Sequence, residues 1–376
     1  MIPYGRQDIT DSDKDAVLDV LSSDFLTQGP KVVDFEERFK EITNAEHAFA
    51  LNSASSALHL SCIALDIQEG DIVWTSPITF VASANCAKSL GAIIDFVDVD
   101  PNTANICIES LEKKLLIAEK HNKLPKVIIP VHLGGQSCDM KSIKRLSEKF
   151  NFRIIEDASH AIGGDYNAKP IGCCLYSDIC VFSFHPVKII TTGEGGMILT
   201  NNLEIASRIE LLRTNGITKD PSLMKSYTGE PWYYEQIDIG FNYRMTDIQA
   251  SLGIEQLKRI NSYIDRRHEI ANHYDELLKD LPLQPLNYKE NGTSSLHLYV
   301  INLNLDKIRP NRLEVFNSLK NDGIGVNVHY IPVYRQPYYQ NKGLSPDCFP
   351  GAEKYYESAI TLPLHPGLES QQISFI

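Results

Sequence analysis

From residue 47 to residue 200 the sequence alternates short apolar, β-branched runs with stretches of helical periodicity, and no other feature narrows the fold so far. The runs fall at 47–51, 72–74, 92–97, 127–131, 152–156, 179–182 and 197–200. Helices are expected from Ala57 onward and at 80–90, 109–121 and 139–150. Strands separated by helices need crossover connections, so the pattern predicts an α/β fold with a large, mostly parallel sheet. Ligands on such sheets sit beyond the carboxyl ends of the strands. Here those ends carry Ser53 to Ser55, Thr79, Phe80, His132, Asp157 and Ser183, which are mostly hydroxyl, carboxylate and aromatic groups.

On either side the pattern changes. Residues 10–23 open with N-capping residues and read as a helix, and Gly29-Pro30 breaks the chain before a second one containing Val33, Phe35 and Phe39. Residues 214–240 form a polar loop rich in Gly, Pro and Tyr. A long helix is expected from Thr246 to about Lys279, with Ile248, Leu252, Leu257, Ile260 and Ile264 on its apolar positions. A strand at 297–303, a helix at 312–321, a strand at 324–331 and a helix near 352–358 follow. With 376 residues the chain exceeds one ordinary core, so two domains are expected. They are a large α/β domain over 1–245 with an N-terminal arm, and a long helix plus a smaller α+β domain over 246–376.

Charge and cysteine usage exclude several classes. A net charge of −12 with no basic run argues against a nucleic-acid partner. No apolar segment approaches the ~20 residues of a membrane span, and the first residues lack the apolar core of a signal peptide. The eight cysteines form no C-x-x-C pair, so no metal site is expected, and buried thiols in a reducing cytoplasm are the plain reading.

The chemistry centres on Lys188, in a glycine-rich loop between two buried runs, where desolvation eases loss of its proton. Alone, Lys188 reads as a surface lysine, Asp157 as a helix cap and His160 as a core imidazole. Together they fit pyridoxal phosphate, which needs a lysine for its aldehyde and a carboxylate to keep its ring nitrogen protonated. It also needs an anion site and a flat wall. Lys188, Asp157, the helix start at Ser55 with Ser183, and Phe80 can fill those roles.

The chain resembles the DegT/DnrJ/EryC1/StrS family of sugar-nucleotide aminotransferases, which have the aspartate-aminotransferase fold, fold type I. The resemblance rests on Leu26-Thr27-Gln28-Gly29, residues 52–58, Thr79-Phe80, residues 156–163, residues 183–196, residues 240–247 and Val328-His329-Tyr330. It implies pyridoxal 5'-phosphate as cofactor, Lys188 as Schiff-base lysine and general base, and Asp157 as partner of the ring nitrogen. It further implies His160, where glutamine is commoner, on the ring hydroxyl, and Phe80 stacked on the ring. Ala54, Ser55 and Ser183 would hold the phosphate, with Asn242 reaching it from the neighbouring subunit of a homodimer with shared active sites. Two departures stand out. Ala54-Ser55 replaces the usual glycine-threonine of the phosphate turn, and the family usually runs on into a terminal helix past Ser374-Phe375-Ile376.

Within the family the sequence most resembles the C4 aminotransferases of pseudaminic acid biosynthesis, through Tyr4, Phe25-Leu26-Thr27, Ser159-His160 and residues 328–334. That likeness implies a UDP-linked 2-acetamido-2,6-dideoxy-4-ketohexose as acceptor and L-glutamate as donor. Tyr4, Asp24, Phe25, Leu26, Thr27, Arg244, Val328, His329, Tyr330 and Ile331 would border the sugar nucleotide. Other nucleotide-linked keto sugars are the alternative. Same-fold dehydratases replace the lysine by histidine, and non-catalytic regulators of this fold carry a DNA-binding module; neither mark is in the sequence.

Overall fold

The computed structural model describes residues 1–226, 229–288, 292–340 and 343–376. Helix α1 (Asp11–Leu21) starts where Thr10 and Asp13 cap each other's backbone N–H groups. Helix α2 (Pro30–Thr43) starts at a proline, whose missing N–H is no loss in a first turn. The predicted alternation then follows: β1 (His47–Leu51), α3 (Ala54–Ala64), β2 (Ile72–Thr75), α4 (Ala82–Lys88), β3 (Ile93–Phe96), α5 (Ile108–Lys120), β4 (Val127–Ile129), α6 (Met140–Phe150) and β5 (Arg153–Asp157). A small ribbon, β6 (Asp165–Tyr166) with β7 (Lys169–Pro170), precedes β8 (Ile179–Ser183) and β9 (Gly196–Thr200).

These strands build a seven-stranded sheet in the order β1-β9-β8-β5-β4-β2-β3. From β8 to β3 every neighbouring pair is parallel, while β9 is antiparallel to both β1 and β8. Strands β4, β8 and β9 are buried along their whole length, as strands covered by helices on both faces must be. One face packs Phe182 and Phe184 against Phe35 and Phe39 of α2, and the other packs Val181 and Ile198 against Leu58 and Leu60 of α3. Each of these buried phenylalanines contributes about 2 kcal/mol.

Beyond β9 the structure departs from the sequence-based expectation in three places. Residues after Thr200 form helix α7 (Leu203–Leu212), capped by the Asn202 side chain, and the polar loop that follows pairs β10 (Ile217–Thr218) with β11 (Glu235–Gln236). The expected long helix is two, α8 (Asp247–Leu257) and α9 (Ile260–Leu278). The break falls at Arg259, at φ −105° and ψ 5°. There Nη2 donates to both oxygens of the fully buried Asp13 carboxylate, at 2.8 and 2.6 Å. Leu257 and Ile260 stay on the buried side across it, so apolar spacing hides the interruption.

A three-stranded antiparallel sheet follows, β12 (Leu283–Pro285), β13 (Tyr299–Leu303) and β14 (Ala359–Leu362), with β13 central. Helix α10 (Arg312–Asn321) flanks it, and α11 (Pro337–Gln340), α12 (Pro350–Ser358) and α13 (Ser370–Phe375) complete the chain. The strand expected at 324–331 does not join this sheet as a ladder. Its alternating pattern reflects extended backbone with two isolated bridges, Ile324 to Ile2 and Asn327 to Thr361. The Ile2 N–H donates to Gly323 C=O and its own C=O accepts from Gly325, each at 2.7 Å, so the first residues lie along this segment. Among the described residues no helix is long and apolar enough to cross a membrane, and no group of three or more His, Cys, Asp or Glu could hold a metal ion.

Candidate active site

A cavity of about 440 Å³ lies beyond the carboxyl ends of the central strands. Its walls bring together Tyr4, Ala54, Ser55, Phe80, Asp157, His160, Ser183, Lys188, His329 and Tyr330 of the predicted residues.

Lys188 sits on the connection from β8 to β9. Because these strands are antiparallel neighbours, the connection is pinned at both ends. The Phe184 N–H donates to Gly195 C=O at 3.0 Å, and the Thr192 N–H to Phe184 C=O at 3.0 Å. Desolvation in the cavity wall pushes the Lys188 ammonium down to about 8, against the opposing pull of the Asp157 charge.

Asp157 ends β5 and is 4% exposed. Ser83 Oγ donates to its Oδ2 at 2.6 Å and the Ser159 N–H to its Oδ1 at 3.1 Å. Thr79 Oγ1 lies 2.7 Å from Ser83 Oγ, so a hydroxyl pair backs the carboxylate. Ser83, in the first turn of α4, was not among the residues expected from the sequence. His132, also at a strand end, turns away from the cavity. Its Nε2 lies 2.9 Å from Glu156 Oε2 in the interior, and its Nδ1 accepts the Cys138 N–H at 3.2 Å.

The anion turn opens α3. Ser53 Oγ accepts the Ser56 N–H at 3.1 Å, and the first helical bond runs from the Ala57 N–H to Ser53 C=O. Ala54 and Ser55, whose N–H groups precede that bond, line the cavity together with Ser183. Gly196 makes the turn possible here, since a Cβ on it would lie 2.6 Å from Ala54 N and 2.7 Å from Ser53 C=O.

His160 is buried. Its Nδ1 accepts the Gly134 N–H at 3.3 Å, its Nε2 lies 3.2 Å from the Tyr330 hydroxyl, and its ring is 4.5 Å from that of His297. Burial first, then the Lys188 and His329 charges, hold its pKa well below the usual imidazole range. His329 Nδ1 lies 2.8 Å from Thr361 Oγ1, and burial with the Lys188 charge pushes His329 down to about 3. Tyr4 faces His329 with ring centroids 5.3 Å apart, and Phe80, 59% exposed, stands at the rim 6.3 Å from the Tyr330 ring.

The remaining predicted residues lie off this wall. Val328 and Ile331 flank His329 and Tyr330 without lining the cavity. Phe25 and Leu26 are exposed, as is Asp24, and Thr27 bridges Thr246. Asn242 is exposed and bridges Thr214, while its C=O accepts from Asn52 Nδ2 at 3.4 Å. Arg244 bridges Leu51 through its backbone, and among the described residues its buried Nε has no hydrogen-bond partner. His297, Asn327 and Glu194 line the cavity but were not singled out as binding residues. His297 lies two residues before β13, inside the run expected at 297–303, and no pattern in the sequence separates it from an ordinary core residue.

The sequence profile of the DegT/DnrJ/EryC1/StrS aminotransferase family matches residues 7–376. The chain is 40% identical over 377 residues to a UDP-4-amino-4,6-dideoxy-N-acetyl-beta-L-altrosamine transaminase of Campylobacter jejuni, covering 100% of this chain and 96% of that one. Among solved structures it resembles Helicobacter pylori PseC, an aminotransferase involved in the biosynthesis of pseudoaminic acid, with a TM-score of 0.89, 33% identity and coverage of 99% and 96%. It is equally similar in shape, at 0.89 and 32% identity, to the PLP form of the putative sugar aminotransferase Spr1654 from Streptococcus pneumoniae, covering 100% of this chain and 96% of that one.

Proposed function

This chain belongs to the DegT/DnrJ/EryC1/StrS aminotransferase family, PLP-dependent enzymes of fold type I, and from that premise we propose its reaction. It moves an amino group from L-glutamate to C4 of a UDP-linked 2-acetamido-2,6-dideoxy-4-ketohexose.

The residues present fit the cofactor: an amine, a buried hydrogen-bonded carboxylate, and a helix start kept clear by Gly196 meet in one cavity. That meeting carries the reading. When bound, pyridoxal phosphate supplies an electron sink for cleavage of the bond between hydrogen and an amine-bearing carbon. Asp157 would hold the proton on the ring nitrogen, with Ser83 and Ser159 aiming its two oxygens. Ala54, Ser55 and Ser183 would take the phosphate, and Phe80 would cover the ring. Lys188 would accept the proton from the donor's α carbon and hold it for return. The same steps in reverse would serve the sugar. Tyr4, His329 and Tyr330 would border the sugar, and Asp24, Phe25, Leu26, Thr27, Val328 and Ile331 its approach. A homodimer would bring Asn242 and Arg244 to the partner's site.

The test begins with holoenzyme converted by glutamate to its pyridoxamine form. Addition of a UDP-2-acetamido-2,6-dideoxy-4-ketohexose should restore the original absorbance and yield a 4-amino sugar, with the β-L-arabino epimer preferred over D-xylo. Reversed preference, or amination of 3-keto sugars only, would move the enzyme to another substrate.

A further inference from the structure

We propose that the backbone N–H of Gly134 locks His160 as the Nε2–H tautomer, and that this makes the Tyr330 hydroxyl the donor to the phenolic oxygen of the cofactor. The inference rests on the reading of Lys188 as the attachment point.

Gly134 sits in a tight turn at φ 66° and ψ 0°, a left-handed conformation that suits glycine. The turn is fixed from both sides. The Leu133 N–H donates to Asn105 Oδ1 at 3.0 Å, and the Gly135 N–H to His132 C=O at 3.2 Å. The Gly134 N–H therefore has a set direction, onto His160 Nδ1 at 3.3 Å. A ring nitrogen that accepts an N–H must present its lone pair, so the single proton of the neutral ring sits on Nε2. Among the described residues Lys188, His297, His329 and Tyr330 act on the ring, the cavity's carboxylates Asp157 and Glu194 do not bond to it, and the site is buried, so the imidazole stays neutral.

The consequence falls on Tyr330. Nε2–H points at the phenol oxygen 3.2 Å away, and that oxygen accepts. The tyrosine's own proton must then point elsewhere. Among the described residues its hydroxyl has no second partner, and Tyr330 lines the cavity that holds Lys188 and Asp157. The phenol keeps its proton, because burial first, then the Tyr4 and Asp157 charges, push its pKa up. A carboxamide at position 160 could turn either its oxygen or its nitrogen to Tyr330, whereas the locked imidazole offers only a proton. The donor toward the cofactor's oxygen is thus shifted from position 160 to position 330.

Two measurements test this. In apoprotein labelled with nitrogen-15 histidine, the His160 signals, assigned by their loss in His160→Gln, should show the neutral Nε2–H form down to pH 6. The opposite tautomer, or a charged ring at pH 6, would overturn the lock. In holoenzyme, a donor to the phenolate draws charge from it and loosens the proton on the adjacent linkage nitrogen. Tyr330→Phe, which keeps the packing against Phe80, should raise the midpoint of the visible-absorbance pH titration by about one pH unit. An unchanged midpoint in Tyr330→Phe together with a raised one in His160→Ala would put the donor on His160 and reject the assignment. Absence of a lysine-linked band in the wild type would reject the Lys188 reading instead, and the nitrogen spectra would still decide the tautomer.

Discussion

At the scale of single residues, the lowered pKa of Lys188 has a measurable sign. The amine must be neutral to attack an aldehyde, so the rate of cofactor attachment to apoprotein should rise with pH and level off above about 8, not near 10.5. Between those two values the unfolded chain holds a proton that the folded one lacks, so apoprotein stability should gain from this group as pH rises. Lys188→Ala should fold and bind cofactor non-covalently while losing about a thousandfold or more in turnover. Borohydride should fix the wild-type cofactor to the peptide carrying Lys188; label on Lys169 would exclude the assignment. Asp157→Asn should keep cofactor and lose about a hundredfold in rate, since an amide cannot hold the ring proton. Lys188 and Asp157 could be read in the sequence because each stands where a buried run stops. Ser83, which aims Asp157, could not, because a serine inside a helix carries no mark of what its hydroxyl meets. Gly134 was equally silent, because the turn it makes depends on Asn105 from a distant part of the chain.

At the scale of elements, close approach rather than propensity decides two junctions. Gly196 begins β9 against the start of α3, and Gly196→Ala would drive a methyl into Ser53 and Ala54. The expected result is a loss of about 1–3 kcal/mol in stability. Cofactor affinity should fall at least tenfold, measured by fluorescence titration of apoprotein. At the junction of α8 and α9, Asp13→Ala would leave the Arg259 guanidinium without its buried partner. Denaturant unfolding should show a cost of about 3 kcal/mol. The alternation of runs and helices over 47–200 was legible because both periodicities are local. The split at Arg259 was not, since the ion pair made at the junction reaches a residue 246 positions away. The segment 324–331 was misread as a ladder strand for a related reason. Alternation reports extended backbone and does not say which neighbour will pair with it.

At the scale of the whole molecule, one copy leaves a large amount of apolar side chain in water. Trp232 and Ile239 are each 77% exposed, and Phe25 and Leu26 are 53% and 48% exposed. A second copy seated over these side chains would remove them from water. Asn242 and Arg244 lie off the cavity of their own chain, as the proposed dimer with shared sites requires. Sedimentation should give twice the chain mass. Co-expression of Lys188→Ala with Asn242→Ala should restore activity, because one site of the mixed dimer receives Lys188 from one copy and Asn242 from the other. If Asn242→Ala alone is inactive and the mixture stays inactive, sharing is excluded. The cavity walls also divide by origin. Lys188, Asp157, Ser55 and Ser183 come from the large sheet and its first helix, whereas Tyr4, His297, Asn327, His329 and Tyr330 come from segments outside that sheet. On the proposed reading a lineage can rewrite Tyr4 and His329, and so change which carbohydrate it handles, while the residues that hold the cofactor, Tyr330 among them, are copied unaltered.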